Sequence, residues 1–318
     1  MKQYLDFEHP IAELEKRIEE LSVISGYEDE VSKLKSQVEK LKTRIYSNLS
    51  PWQKVLLARH PARPYTLDYI NLITSEFIEL SGDRYFADDK AIVGGLAKIS
   101  VSDSKFISLV IIGTQKGRET KEKIYRNFGM PHPEGYRKAL RLMKLAEKFN
   151  LPVVTLVDTP GAYPGVGAEE RGQAEAIARN LREMARLEVP IIAVITGEGG
   201  SGGALALAVG NRVLMMEYAI YSVISPEGCA SILWRDPEKA PEAAEALKLT
   251  AQDLYQFGII DEIIPEPLGG AHHDYTLAAQ YIKTSIIKNI SELQGLSSQE
   301  LVSQRIEKFR SFGIYFEE

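Results

Sequence analysis

The sequence predicts an α/β protein that begins with a helical arm. Between about residues 80 and 265, short apolar segments alternate with helical patterns, and VVTLV and IIAVI are apolar on both faces, as in a covered parallel sheet. Residues 11–46 have apolar residues three and four positions apart, with Glu and Lys between them. We therefore predict a helical hairpin or coiled-coil arm over residues 1–50 and an α/β domain with C-terminal helices over residues 51–318.

The same patterns place the individual elements in chain order. The arm is expected to contain two helices that meet near Ser25-Gly26, and its apolar stripe packs either on its own domain or on a partner. Two prolines keep residues 59–64 in a loop, and a helix is expected over residues 67–80. Strands are expected at 91–99, 106–112, 153–157, 191–196, 213–216 and 259–264, helices at 135–149 and 170–187, and two helices after Leu277 with Gly295 between them.

Composition excludes several classes of function. With 38 Lys plus Arg against 44 Asp plus Glu, the formal net charge is −6, so no overall basic field attracts nucleic acid or an anionic membrane. The single cysteine, Cys229, excludes an internal disulfide and a cysteine-rich zinc site, and no metal is expected on this chain. No apolar run reaches the ~18 residues of a spanning helix, and the N-terminus does not read as a secretory signal. We expect a cytoplasmic protein.

The strongest local motif is a glycine turn, Gly199-Gly200-Ser201-Gly202-Gly203, which follows the predicted strand PIIAVIT and leads into the apolar helix ALALAV. Glycine permits close approach to the backbone, and the start of a helix offers free N–H groups. The turn is therefore predicted to hold an anion or a developing oxyanion. The alternative is a glycine-rich turn that only allows tight strand–helix packing.

Two catalytic interpretations of these motifs are weak. The turn matches G-x-S-x-G, but a nucleophilic Ser201 needs a histidine base, and only His272 and His273 follow it in the chain. The segment that begins Asp158-Thr159-Pro160-Gly161 resembles a GTPase motif, yet the chain has no phosphate-binding G-x-x-x-x-G-K-[ST] loop. Neither a serine hydrolase nor a GTPase is favoured.

Two further segments follow predicted strands and are expected at the same sheet edge. The first is a Gly-Pro turn after PVVTLVD, namely Gly161-Ala162-Tyr163-Pro164-Gly165, which could add an N–H donor for the same oxygen. The second is a basic segment after ISLVIIG. It could bind phosphates or a carboxylate, or it could be a solvated face. Its candidate cations are Lys116, Arg118 and Lys121.

Long motifs throughout the chain resemble one family, the α subunits of the carboxyltransferase in bacterial multisubunit acetyl-coenzyme A carboxylase. The resemblance covers most of the chain and thins in residues 22–50, 236–258 and beyond His273. It is carried by LDFEHPIAELE, GDRYFADDKAIVGG, QKGRETKEKIYRNFGMPHPEGYRKALRLM, DTPGAYPGVGAEERGQAEAIARNLREM and GEGGSGGALALAVGNRV.

This resemblance implies a crotonase-like fold of the ClpP/crotonase superfamily, a spiral of ββα units. It implies carboxyl transfer from carboxybiotin on a biotin carboxyl carrier protein to acetyl-coenzyme A, giving malonyl-coenzyme A for fatty acid biosynthesis. It also implies an α2β2 heterotetramer whose β subunit carries a four-cysteine zinc ribbon, within an ATP-dependent complex that includes biotin carboxylase. By position, the oxyanion hole for carboxybiotin falls on the backbone N–H groups of the glycine turn.

The residues are compatible with that reaction. An enolate and a biotin ureido anion are both oxyanions, so aimed N–H donors suffice and no enzyme nucleophile is required. Gly202 and Gly203 are then expected to leave space for carboxybiotin. A hydratase or decarboxylase of the same fold would need a carboxyl acid or base, for which Glu198 or Glu227 is available. A third alternative is a non-catalytic partner subunit that acts through its arm.

Overall fold

One mixed β-sheet organises the molecule in a computed structural model that describes residues 4–102 and 104–313. The sheet order is β1-β2-β3-β4-β5-β6-β8, and β7 pairs with the end of β5. Strands β1 to β3 pair antiparallel, whereas all pairings from β3 to β8 are parallel. The strands are β1 (Glu76–Glu79), β2 (Ile92–Ser102), β3 (Lys105–Thr114), β4 (Val153–Thr159), β5 (Ile191–Gly200), β6 (Arg212–Met216), β7 (Ile220–Ser222) and β8 (Glu262–Ile264).

Helices cover this sheet and form both ends of the described chain. The arm helices are α1 (His9–Ser22) and α2 (Glu28–Tyr46). The helices before the central strands are α3 (Pro51–Ala58), α4 (Thr66–Ile73), α5 (Thr120–Tyr125) and α6 (Pro133–Lys148). The others are α7 (Val166–Glu170), α8 (Gln173–Met184), α9 (Ser201–Leu205), α10 (Pro226–Trp234), α11 (Ala240–Leu247), α12 (Ala251–Gln256), α13 (Tyr275–Leu293) and α14 (Ser298–Arg310). In this part of the chain, no helix has both the length and the apolar character that a bilayer crossing requires.

The core lies around the central strands. Every residue of β4 is buried, and so are the first nine of β5, which explains why both segments lack a polar face. The arm contributes a smaller cluster, in which Ile11, Val38 and Tyr46 pack with Leu57 and Tyr218 of the α/β region. The two expected arm helices and the two helices around Gly295 are present. The division into two domains stays a prediction.

The prediction of a helix over residues 67–80 is wrong for the second half of that range. Helix α4 ends at Ile73, where Thr74 is extended (φ −101°, ψ 146°) and its hydroxyl bonds to the Ile70 carbonyl at 2.7 Å. The chain then forms β1, which pairs with β2 from Glu76↔Lys98 to Glu79↔Gly95. This pairing between distant segments overrides the local helical pattern.

Two buried arginines connect the sheet to distant loops and helices. Arg63 and Glu266 have fully buried side chains, and Arg63 also donates to the Thr196 carbonyl of β5 at 2.7 Å. The two buried charges neutralise each other, and both also use hydrogen bonds, as a buried pair must. The pair therefore fixes the loop after β8 against the strand that carries the glycine turn.

Arg305 of α14 is buried against neutral oxygens. Its guanidinium donates to the carbonyls of Leu187 and Val189, each at 2.9 Å, to that of Met184, and to the Asn211 side chain at 2.6 Å. Burial lowers its pKa to about 10, which leaves it charged at neutral pH. The last described helix thus satisfies the carbonyls of the segment leading into β5.

Candidate functional site

The turns after β4 and β5 lie side by side, as the sequence predicts. The two strands are parallel neighbours, with Thr159 opposite Gly199. A Cβ placed on Gly161 would lie 4.0 Å from both the Gly200 carbonyl oxygen and the Ser201 Cβ. Because the carboxyl ends of parallel strands meet at one edge, backbone donors from both turns face a common region.

The glycine turn is built differently from the expected strand-then-helix arrangement. Strand β5 continues to Gly200, because β7, which the sequence did not reveal, pairs with Glu198–Gly200. The following helix α9 has five residues and does not run through ALALAV. It ends early because side chains take its next carbonyls: Asn180 donates to the Ala206 carbonyl at 3.3 Å, and Thr155 to the Leu207 carbonyl at 2.6 Å.

Glycine is required at some positions of this turn and not at others. A Cβ on Gly203 would lie 2.5 Å from the Ala162 nitrogen and the Gly161 carbonyl carbon, and a Cβ on Gly200 would clash with Pro160. These glycines allow the two turns to pack, so the expectation that Gly203 leaves space for a ligand is wrong. A Cβ on Gly202 would meet only Ile177, at 3.7 Å, an ordinary contact.

Ser201 holds a strained backbone position at the start of α9. Its φ is 54°, in the left-handed region that few non-glycine residues adopt. Such strain is typical of sites where the surrounding structure fixes the direction of the backbone groups. The first amides of a helix have no acceptor within it, so the N–H groups of Gly202 and Gly203 remain available as donors.

An apolar cavity of about 490 Å³ adjoins this turn. Ser201 and Gly202 contribute to its wall, together with Leu205, Tyr221, Leu247 and Phe309. Apolar walls with a few backbone donors are typical of small-ligand sites. The cavity therefore gives the start of α9 an adjoining apolar space in which a ligand would meet it.

Several contacts hold the Gly-Pro turn rigid. The Tyr163 N–H donates to the Pro131 carbonyl at 3.0 Å, and the Gln173 side chain donates to the Tyr163 carbonyl at 2.9 Å. The Tyr163 ring stacks on His132 with 4.2 Å between centroids. Gly161 has a φ of 150°, which a side chain rarely permits. The turn is thus positioned before any ligand arrives.

A chain of five charged residues runs beneath the glycine turn. The Lys116 ammonium lies 2.7 Å from oxygens of both Asp158 and Glu198. The Arg59 guanidinium donates to Glu198 at 2.6 Å and to Glu227 at 2.5 Å. The network joins the ends of β3, β4 and β5 to the C-terminus of α3 and the first turn of α10. Its charges therefore fix the strand end from which the turn departs.

This network lowers the pKa values of its two glutamates. Burial alone would raise the pKa of Glu198, but the charges and hydrogen bonds of Lys116 and Arg59 lower it to about 2. Burial would also raise the pKa of Glu227, but its hydrogen bonds with Arg59 lower that pKa. Burial opposes the charge of Lys116, yet Asp158 and Glu198 raise its pKa. Neither glutamate can act as a general acid at neutral pH.

The three predicted cations lie in different surroundings. Lys116 points inward and its charge is compensated by the two carboxylates. Arg118 pairs with Asp68 at 2.6 Å and stacks on the Tyr65 ring at 4.7 Å from its centroid. Lys121 is exposed on α5. Of these, Lys121 offers the most accessible positive charge.

Sequence reasoning missed two members of the network. Arg59 lies in a loop that had no assigned role, and Asp158 was considered only as part of a GTPase-like motif. Both become important because strand pairing brings Lys116 and Glu198, 82 positions apart, into contact. One local signal was present in the sequence. Asp158 ends the buried strand PVVTLVD, and a buried carboxylate needs a cation nearby.

Solved structures resemble this fold with low sequence identity. A Pseudomonas malonate decarboxylase hetero-tetramer in complex with coenzyme A matches with a TM-score of 0.59 at 14% identity, over 77% of this chain and 94% of that one. The transcarboxylase 12S core matches with a TM-score of 0.54 at 22% identity, over 71% of this chain and 44% of that one. These matches confirm the predicted crotonase-like fold.

Sequence relatives are much closer. The acetyl-coenzyme A carboxylase carboxyl transferase subunit alpha of Geobacter metallireducens is 60% identical over 317 residues, which cover 98% of each chain. The subunit of the same name from Colwellia psychrerythraea is 58% identical over 317 residues, again 98% of each. The profile of the family described as acetyl co-enzyme A carboxylase carboxyltransferase-like matches residues 4–313. The chain therefore belongs to the family of acetyl-coenzyme A carboxylase carboxyltransferase alpha subunits.

Proposed function

We propose that this chain is the α subunit of the carboxyltransferase component of acetyl-coenzyme A carboxylase. It transfers the carboxyl group of carboxybiotin, held on a biotin carboxyl carrier protein, to acetyl-coenzyme A and forms malonyl-coenzyme A for fatty acid biosynthesis. It does so in the cytoplasm. The sequence relatives at 56–60% identity support this assignment, because their alignments cover nearly the whole chain.

The proposed mechanism rests on a set of backbone N–H donors that lies beside an apolar cavity. The carboxylates next to these donors are already ion-paired. Carboxyl transfer produces an enolate oxygen on the thioester and negative charge on the biotin ureido oxygen. Fixed N–H donors at residues 199–203 stabilise such charge without reorganising, and one lost donor typically costs about 10²–10³ in rate. The site needs no acid–base pair, since the departing biotin can take the acetyl proton.

The neighbouring segments position the substrates. The Gly-Pro turn, residues 161–165, packs against the glycine turn and is proposed to position the substrate beside it. Lys121 and the partly exposed Arg118 supply positive charge for an anionic substrate group. Lys116 acts indirectly, because it holds Glu198 and thereby the strand end before the turn.

An incomplete site implies partners. One set of donors stabilises one oxyanion, while the reaction has two, so we propose a β subunit that supplies the other in an α2β2 assembly and carries the zinc ribbon. Exposed apolar side chains support a partner surface: Val223 is 78% exposed, and on α10 Ile232 is 71% and Leu233 64% exposed. Biotin carboxylase supplies the ATP-dependent step that charges the carrier protein.

We expect the purified chain alone to form almost no malonyl-coenzyme A and to become active when a β subunit is added. The reason is that the reaction has two oxyanions and the glycine turn is proposed to stabilise only one of them. The measurement is carboxyl transfer from carboxybiotin with and without the β subunit. Full activity of the isolated chain would contradict both the partner and the divided site.

Ser201→Ala is expected to keep most of the carboxyltransferase activity in the reconstituted complex. The change removes the hydroxyl and leaves the backbone N–H in place. A nucleophilic serine would lose activity by about 10⁶-fold. The kinetic constants of the variant should be measured beside its thermal melt. A folded variant with only baseline activity would favour a serine nucleophile instead.

The hydratase or decarboxylase alternative has no support. It requires Glu198 or Glu227 as an acid or base, and Arg59 pairs with both while Lys116 also pairs with Glu198. The malonate decarboxylase likeness, at 14% identity, concerns the fold alone.

A further inference from the structure

Three potential metal ligands from distant parts of the chain meet at the base of the arm. Glu8 belongs to the short 3-10 turn before α1, and His272 and His273 lie in the loop after β8. One ligand atom from each of the three side chains lies within 4.8 Å of the other two. A carboxylate with two imidazoles is a ligand set that zinc uses in proteins.

The Glu8 carboxylate is buried beside neutral donors. Only 1% of the residue is exposed. The Tyr46 hydroxyl donates to one oxygen, and the Leu5 N–H donates to the other at 2.6 Å. Both of these donors are neutral groups. A buried carboxylate is unfavourable without a compensating charge, so a bound cation would supply what these donors do not.

His272 has a buried, unpartnered ring nitrogen in this cluster. Its Nδ1 atom has no hydrogen-bond partner within the described part of the chain. The ring is fixed by stacking on His60, with 3.9 Å between centroids. A neutral imidazole keeps a lone pair on one of its two ring nitrogens. A neutral, oriented imidazole is the form that binds a transition metal.

The loop geometry places both imidazoles close to their own backbone, with His272 partly buried and His273 exposed. Gly269 and Gly270 each have a φ of 98°, a conformation that side chains rarely adopt. A Cβ on Gly270 would lie 3.1 Å from His272 Nδ1, and one on Gly269 would lie 3.0 Å from His273 Nε2. The double glycine therefore lets the imidazoles fold back over their own loop.

We propose that Glu8, His272 and His273 form a binding site for a divalent transition metal, with zinc as the expected ion. Three protein ligands leave a fourth tetrahedral position for water. Ligand atoms of a tetrahedral zinc site are about 3.4 Å apart, so the three groups need to close by roughly 1 Å. Tyr46 acts as an outer-shell partner that orients the carboxylate through its hydrogen bond. The site is independent of the proposed carboxyl transfer.

The metal would fasten the arm to the α/β region. Glu8 is the N-cap residue of α1, so a metal bound there holds the first arm helix to the loop after β8. That loop is anchored in turn, because the Ala271 N–H donates to Glu266 at 2.8 Å and Glu266 pairs with Arg63. The expected consequence is a higher melting temperature with metal bound.

The test uses the full-length, tag-free chain after chelator washing. Zn²⁺ alone is added, bound metal is measured by elemental analysis after dialysis, and Co²⁺ is used separately to record the visible bands of tetrahedral coordination. We expect one equivalent of zinc and a raised melting temperature. Glu8→Gln and His272→Ala should lose both effects, and Tyr46→Phe should weaken zinc affinity by about 10–100-fold. His9→Ala, which removes an exposed neighbouring histidine, is the matched control and should bind normally.

Two outcomes would overturn the proposal. One is a wild-type chain that retains no stoichiometric zinc after dialysis. The other is a Glu8→Gln variant that binds zinc as well as His9→Ala does. Glu8→Gln preserves the shape of the side chain and its hydrogen-bond acceptor, so the comparison stays valid even if His272→Ala does not fold.

Discussion

Replacing Lys116 with methionine is expected to destabilise the protein by about 3–5 kcal/mol and to reduce carboxyl transfer by at least about 100-fold. The change keeps the length of the side chain but removes the ammonium that lies 2.7 Å from both Asp158 and Glu198. Two buried carboxylates would then face each other without that cation. Their repulsion would displace the strand end before the glycine turn, and a displacement of about 1 Å can cost about 10² in rate.

Lys121→Met is the matched control for this experiment. Lys121 lies five positions further along the same segment and is exposed, so its removal should leave the unfolding free energy within about 0.5 kcal/mol of the wild type. Urea unfolding and kinetics of the reconstituted complex should be measured for both variants. Lys121→Met serves as the control for stability only, and a Lys116→Met variant whose unfolding midpoint and rate both equal those of the wild type would show that the network does not support the site.

The effect of Lys116→Met should also depend on pH. Glu198 has a lowered pKa, about 2 against an ordinary 4.5, so its ionised form contributes stability above pH 4.5 that disappears as the pH falls towards 2. Without the ammonium, the part of this contribution that Lys116 supplies is absent at every pH, and the part that Arg59 supplies remains. The difference in unfolding free energy between wild type and variant should therefore be greatest near neutrality and should narrow below pH 4.5.

Gly203→Val is expected to lower stability by more than about 3 kcal/mol, with activity falling in step with the folded fraction. A Cβ at this position would lie 2.5 Å from backbone atoms of Gly161 and Ala162, and 2.9 Å from the Tyr136 hydroxyl oxygen. Backbone atoms in a packed turn cannot move aside as a flexible side chain can. The packing of the two turns would be lost before any ligand binds.

Gly202→Ala provides the comparison for this second experiment. Its Cβ would have an ordinary contact with Ile177 at 3.7 Å, and alanine is the better helix former, so its melt should equal or slightly exceed that of the wild type. Thermal melts and turnover should be measured for both variants. A stable, assembled but inactive Gly203→Val variant would instead show that this glycine serves the ligand.

The sequence predicted the elements whose burial is uniform and missed those that depend on a neighbour. Strands such as β4 and β5 are buried on both faces, so they carry a continuous apolar signal. Strands β1 and β7 have four and three residues, and each exists because a longer strand offers a pairing edge. Their own residues carry too little pattern to be distinguished from a helix or a loop.

The site was predictable to the extent that it lies at strand ends. Because parallel strands end at a common edge, the positions of the two turns followed from the strand pattern alone. The partners of Lys116 could not be predicted from the strand pattern, because its contact with Glu198 spans 82 positions. The meeting of Glu8 with His272 and His273 is equally non-local, so the sequence, from which no metal was expected on this chain, gave no indication of the site proposed there.

The position of Arg305 has a consequence for how the chain is made. The guanidinium that satisfies the Val189 carbonyl is encoded 116 residues later. At about 5–20 residues per second, a ribosome needs roughly 6–23 s to add that length. Throughout this interval the carbonyl groups of the segment that enters the central strand have no Arg305 guanidinium to accept from. The packing around β5 can therefore be completed only after α14 has been synthesised.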